Sequence, residues 1–366
     1  PSAGNVVAIS DYSGNFGTNA ITVGRNSSNI NGAASDFVLS KDNVTAQFIY
    51  VDGTQGWRVV FTGSQSGDGL SEKFITATGG SISNSGNCRI HTFTGPGTFT
   101  VTQVADCSAN NAVGYLVVAG GGGTGRSFGG GAGAGGFREG RTNPVTPYTA
   151  SPLVTTGHTV SAQAYPITVG AGGAKATPSG SDNPLQDGSN SVFSSFTSAG
   201  GGGGGHYSNT INTPVPNFNR QGHPGGSGGG GGDGAPEFGR GNPPPVSPPQ
   251  GNNGGAGASP GRAGAGGGAT AAGTAGASPG NAGTGGAGAT THITGSPVAY
   301  AGGGGGYGNP LGGQPGGTGG GGDGGNPGQA GTANTGGGAG GTGVTPNTDM
   351  TGTGGSGIVI IRYKFQ

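Results

Sequence analysis

The chain has 366 residues, 96 of them glycine and 24 proline, and its 14 Lys and Arg balance 14 Asp and Glu. Only 29% is hydrophobic and 8% charged, which argues against one large apolar core and against the basic footprint of a nucleic-acid binder or polybasic anchor. No run approaches the ~20 apolar residues that span a bilayer, so membrane insertion is not expected, and a start at Pro1 without methionine or signal-peptide pattern suits the end of a longer chain.

Residues 1–63 read as a small β module. Short strand-like runs at 6–10, 20–23, 37–40, 45–51 and 57–61 are separated by the Gly, Asn, Ser and Asp that turns prefer. Trp57, the only tryptophan, is expected to fill the core of this module rather than to bind sugar. Residues 64–73 are polar, glycine-rich and aperiodic, as a linker would be.

A second β module is expected over 74–118, with strands at 74–77, 88–93, 98–101 and 115–118 and a turn at Gly95-Pro96-Gly97 between the second and third. His91 alternates with Ile90 and Thr92 on a strand, which marks it as structural. The only cysteines, Cys88 and Cys107, flank this apparent hairpin and would be close enough to form a disulfide; the alternative is two unbridged thiols.

At Ala119 the composition changes. The first 118 residues hold 16 glycines and the remaining 248 hold 80, in blocks such as 200–205, 228–232 and 302–306. No helical period appears after this point. Two strand islands, 165–169 and 191–196, interrupt the blocks, and the chain closes on the apolar run 358–365. A terminal strand this apolar is expected to pair with the β module, beside residues 115–118, which makes 119–357 a long insertion held at both ends.

Glycine loses more backbone freedom on folding than other residues and offers no side chain to bury, so such a region must be held by backbone contacts. Collagen is excluded because the blocks do not keep glycine at every third position, and a disordered linker would have no use for the aromatic strands between them. A bundle of polyglycine II helices fits best. That left-handed helix has about three residues per turn and directs its N–H and C=O groups outward, where neighbouring helices can pair with them. Interior runs should then be nearly pure glycine, and 264–289, with Ala and Thr mixed in, should be peripheral. The expected fold is all-β N-terminal modules followed by this bundle, with essentially no α-helix and with residues 358–366 pairing back to the β module.

The strings at 115–123, 165–173 and 354–363 resemble the glycine-rich C-terminal domain of bacteriophage tail fibres, and the likeness covers residues 75–366. The first 63 residues resemble, more weakly, a β repeat of marine phage fibre proteins. The polyglycine sandwich is also similar to that of the receptor-binding adhesins at the fibre tips of T-even-like phages. The resemblance implies an extracellular virion component, a homotrimer in its β modules, other fibre or virion proteins as neighbours, and a host cell-surface glycan or outer-membrane protein as receptor. The long β modules depart from the separate adhesins and suggest the distal part of a fibre.

Catalytic and cofactor signatures are missing. Gly-x-Gly-x-x-Gly recurs by composition alone, no Gly-Lys-Ser/Thr follows, and Gly232-Asp233-Gly234 and Gly322-Asp323-Gly324 lack the nine-residue calcium pattern and read as turns. The five histidines have no zinc spacing, and no nucleophile elbow or paired carboxylates stand out, so neither an enzyme nor a cofactor is expected. What remains is the inserts. His206, Tyr207, Asn217, Phe218, Asn219, Arg220 and His223 combine flat rings with polar donors; Phe238 and Arg240 lie in a Pro-rich insert, 236–249; His292, Tyr300 and Tyr307 are further candidates. If passages alternate strictly, the inserts after Gly205 and Gly232 lie at opposite ends. The rival readings are a purely structural appendage and an ice-binding protein, since a glycine-rich antifreeze protein of snow fleas uses the same helix; long ring-bearing inserts would spoil the flat face that ice binding needs.

Overall fold

The computed structural model describes residues 1–61, 73–125, 127–175, 186–206, 220–343 and 352–366. The chain is nearly all β, and one 3-10 turn, Ser108–Asn111, is the only helix among the described residues. It divides into two compact units, Pro1–Lys73 and Phe74–Gln366.

In the first unit, Val6–Ser10, Thr45–Asp52 and Gly56–Phe61 form an antiparallel sheet, and Ile21–Val23 pairs with Phe37–Leu39. Apolar residues alternate along these strands, so one face supplies a small core of Phe16, Ile30, Leu39, Val44, Ala46 and Phe48. Trp57 packs against this core and edge-on to Tyr50, with ring centroids 5.4 Å apart, yet it is only partly buried. Asp11 accepts hydrogen bonds from the backbone N–H groups of Asn15, Phe16 and Asn43 and so fixes two turns. Burial pushes its carboxyl pKa up, but these bonds outweigh that and hold it below the usual range.

The second unit contains a β-sandwich. One sheet runs in the order Val154–Thr156, Phe137–Arg141, Ala112–Val118, Ile358–Lys364, Cys88–Phe93, Ser81–Ser85, and the other in the order Phe196–Ser198, Ser191–Phe193, Ala164–Thr168, Gly97–Gln103, Thr76–Thr78. The C-terminal strand lies antiparallel between Ala112–Val118 and Cys88–Phe93, with Leu116 opposite Ile360 and His91 opposite Ile361. Its apolar run is continuous because both faces are covered. Val359, Ile361 and Tyr363 face the inter-sheet core with Phe99, Tyr115 and Phe193; Ile358 and Ile360 face a second core with Leu116, Phe137, Ile293 and Tyr300.

Three sequence expectations change here. Residues 74–118 and 119–357 are not separate modules, because both sheets draw strands from either side of Ala119. The run 191–196 is a hairpin rather than one strand: Ser194 takes φ 52°, and Phe193 pairs with Phe196. The segment around Gly95-Pro96 is no hairpin turn, since Cys88–Phe93 and Gly97–Gln103 belong to different sheets. Cys88 and Cys107 are correspondingly unbridged, the first buried near the start of its strand and the second exposed beside the 3-10 turn.

The glycine segments form no strand ladder, yet their backbone groups are paired. In 130–136 the N–H groups of Gly130, Gly133 and Gly136 donate to the carbonyls of Gly205, Gly202 and Ala199. Those of Gly131 and Ala134 reach Gly264 and Gly267, and those of Ala132 and Gly135 reach Ala339 and Gly336, all at 2.8–3.0 Å. Every third donor returns to the same neighbour. The carbonyls accept in the same rhythm, Gly131 and Ala134 from Gly230 and Ser227, Gly133 and Gly136 from Gly122 and Ala119, and Ala132 from Gly304.

Segment 130–136 is therefore enclosed by a ring made of 119–124, 199–205, 227–232, 263–269, 301–306 and 336–342. Successive ring members are bonded to each other as well, through Gly204 to Gly123, Gly205 to Gly230, Gly264 to Gly231, Gly266 to Gly304, Gly341 to Gly305 and Ala339 to Gly122. Spacing this close needs the missing side chains: a Cβ on Gly131 would sit 2.0 Å from the carbonyl oxygen of Gly304, and one on Gly135 equally close to that of Ala119. Farther out, exposure repeats every third residue, with Gly170 and Gly173 buried and Ala171 and Ala174 exposed, or Gly283 and Gly286 buried and Thr284 exposed.

The interior is not pure glycine, however. Ala132 and Ala134 in the central segment, and Ala265 and Ala339 in the ring, are fully buried. Segment 264–289 is peripheral only in part, because Ala265 and Ala269 lie inside while 270–284 carries the exposed Thr and Ala. Ala134, Ala269, Ala289 and Ala301 sit where glycine segments meet the sandwich, and their methyl groups join its second core.

Candidate functional site

Hydrogen-bond register gives the glycine segments two ends. Ala119, Gly136 and Ala199 adjoin the strands Ala112–Val118, Phe137–Arg141 and Phe196–Ser198, which defines a sandwich end. Gly205, paired with Gly130, and Gly232, paired with Arg220, lie at the far end. The inserts after Gly205 and Gly232 thus leave from the same end. Residues 220–226 make an additional passage back toward the sandwich, with His223 donating to Gly203 and Gly226 to Gly200; without a glycine block, that passage is inconspicuous in the sequence.

Tyr207, Asn217, Phe218 and Asn219 lie outside the described residues. The residues that flank them, His206 and Arg220, are both at the far end, where a Cβ on Gly232 would come within 3.0 Å of the His206 backbone. Asp233, buried in the adjoining turn, accepts from the Gly261 N–H at 2.8 Å and the Ser259 hydroxyl at 3.3 Å, and its own N–H donates to the Phe128 carbonyl at 3.2 Å. The Arg262 guanidinium donates to the carbonyls of Gly280 and Asn309 and to those of Pro260 and Gly261. Phe128 and Tyr307 pack with ring centroids 6.3 Å apart. Asp233 and Arg262 therefore join the turns at 128, 233, 259–262, 280 and 307–309 into one connected surface.

Phe238 and Leu311 are exposed in far-end turns, 39% and 57% accessible respectively. Phe128, Arg262 and Leu311 are members of this end that sequence reasoning missed, although Ser259-Pro260-Gly261, Ser278-Pro279-Gly280 and Asn309-Pro310 are turn signals that mark it.

Other candidates fall elsewhere. His223 sits on a passage rather than in an insert, with Nδ1 3.0 Å from the Asp187 carboxylate. The Pro-rich insert is split in two by a passage at 239–242, so Phe238 stays at the far end while 243–250 reaches the sandwich, where the Gln250 carbonyl accepts from Phe137 N–H. Arg240 is exposed on that passage.

His292 and Tyr300 lie at the sandwich end, on or beside a separate two-stranded sheet of Ala289–Thr291 and Val298–Tyr300. His292 N–H donates to the Thr149 carbonyl, Thr291 Oγ1 donates to Glu139 at 2.5 Å, and Arg362 donates to the Ile293 carbonyl at 3.0 Å. Tyr300 is buried in the second core, and burial pushes its hydroxyl up to about 12. It is a core residue, not a surface ring.

The far end thus offers rings, a guanidinium and backbone groups on fixed turns. No group of three or more His, Cys, Asp or Glu suited to a metal occurs among the described residues.

A family model described as a glycine-rich domain matches residues 91–364. The match starts on the strand that holds His91 and ends on the terminal strand beside it, so it takes in both the sandwich and the glycine segments. This chain belongs to that glycine-rich domain family. No curated protein matches it.

Proposed function

We propose that the glycine segments are polyglycine II helices and that the protein is the distal part of a bacteriophage tail fibre, a non-enzymatic virion component whose far-end turns bind a receptor on the host cell surface. The three-residue rhythm of both hydrogen bonds and burial supports the helix type, since that helix has about three residues per turn. Membership of the glycine-rich domain family is compatible with the fibre reading. The observation that carries the receptor role is the connected far-end surface: its turns stand on a lattice that pairs its own backbone groups, so they lose little freedom when a partner binds. Weak contacts are then multiplied by several copies of the fibre on one particle.

The test is retention of the labelled full chain on a panel of bacterial strains, compared with a Phe238→Ala, Tyr307→Ala double variant. Saturable retention on particular strains, weakened about tenfold or more in the variant, is expected for loss of two aromatic contacts. Retention on no strain, or equal retention of both proteins, would instead favour a shaft component that contacts only other virion proteins.

A further inference from the structure

The first unit contains a cavity of about 250 Å³ lined by the apolar side chains of Val7, Ile30 and Phe48 and by Arg25, Asn26, Ser28 and Trp57. The structure assigns this cavity to an acidic monosaccharide unit, held with its apolar ring face against Trp57 and its carboxylate on Arg25. This site lies in residues 1–73 and does not depend on the far-end reading.

Four observations support the assignment. The first is unused polar capacity: the guanidinium of Arg25, the amide of Asn26, the hydroxyl of Ser28 and the indole N–H of Trp57 make no hydrogen bond to the described residues. Asn26 is exposed and the other three are half-exposed, so these groups are hydrated in the free protein and can exchange that water for the polar atoms of a ligand beside the aromatic wall.

The second is the balance of that capacity. Arg25 and Trp57 only donate, Asn26 and Ser28 both donate and accept, and no carboxylate lines the cavity. A neutral sugar also offers more acceptors than donors, but only a carboxylate gives the guanidinium paired, charge-assisted bonds, so a cationic site without a carboxylate of its own favours an anionic ligand.

The third is backbone conformation. Asn26 and Ser27, consecutive with positive φ of 43° and 66°, form a tight turn that brings Arg25 and Ser28 to the same cavity. The Arg25 N–H, bonded to Asp36 at 2.9 Å, holds the start of this turn, so the guanidinium projects from a fixed backbone.

The fourth is size. The volume lies just below the range of drug-sized pockets, which suits one sugar unit rather than an oligosaccharide. The half-buried state of Trp57 then has a purpose beyond filling the core.

Because Trp57 is the only tryptophan, its fluorescence in the full chain reports on this cavity alone. Methyl glucuronide, methyl galacturonide and N-acetylneuraminic acid, each titrated against methyl glucoside as the neutral control, should include at least one acid that gives a saturable change about tenfold tighter than the glucoside. Arg25→Ala should weaken that acid by about tenfold or more while leaving the melting temperature in place, and Arg25→Lys should restore part of the affinity, as expected for a charge-assisted pair. The proposal is overturned if no acid saturates the signal up to its solubility limit, if the glucoside binds as tightly as the acids, or if Arg25→Ala binds like the parent.

Discussion

His91 accepts a hydrogen bond from Tyr363 across the first and last strands of the glycine-rich domain. Its Nδ1 lies 2.6 Å from the Gly79 carbonyl oxygen and its Nε2 lies 3.1 Å from the Tyr363 hydroxyl. A carbonyl can only accept, so Nδ1 carries the proton and Nε2 of the neutral ring receives the Tyr363 hydroxyl. The two rings stack with centroids 5.5 Å apart, and the strands that hold them close the chain around the whole glycine insertion.

This arrangement makes the second unit sensitive to acid. Burial lowers the His91 pKa; the Gly79 bond opposes that shift and Arg89 adds to it. Burial lowers His158 as well. With folded-state values below the unfolded value near 6.5, the unfolded chain takes up protons first as pH falls. The stabilisation is therefore complete above about pH 6.5 and is lost as pH drops from there through the lower folded-state values. The melting temperature of the second unit should fall between about pH 7.5 and pH 5, and His91→Gln should flatten part of that fall. An identical pH profile in the variant would contradict this account.

The glycine lattice predicts an unusual penalty for the smallest side chain. In Gly131→Ala the new methyl group meets the Gly304 carbonyl oxygen at 2.0 Å, and backbone on every side prevents relief. Destabilisation of about 3 kcal/mol or more is expected, at the upper end of overpacking. Gly95→Ala, where a Cβ meets nothing within 4 Å, should stay within about 0.5 kcal/mol of the parent. Denaturant melts of the two variants would settle the contrast, and equal stability would mean that the segments are not packed at this spacing.

The two thiols should differ in reactivity. Cys107 is exposed and Cys88 is buried, so a thiol reagent should label one cysteine in the native protein and both after unfolding. Reducing agent should leave the melting temperature unchanged, because no bridge restrains the unfolded chain. Labelling of neither thiol without reductant would point to a disulfide after all.

Much of this architecture is written in local sequence. Periodicity marks the strands of the first unit and the apolar terminal strand, since burial on one or both faces dictates residue type directly. Glycine blocks announce backbone-to-backbone packing, because only side-chain-free segments can approach so closely. The structural role of His91 follows from its alternation on a strand.

Pairing between distant segments, in contrast, was settled only in three dimensions. The sheet partners of Cys88–Phe93, the ring around 130–136 and the shared end of the inserts after Gly205 and Gly232 all depend on long-range backbone hydrogen bonds. A peptide N–H is the same whichever residue carries it, so it leaves no trace of its partner in the sequence. For the same reason Ala132 and Ala134, ordinary in composition, turn out to occupy the middle of the lattice, and Tyr300, a plausible surface ring, is buried.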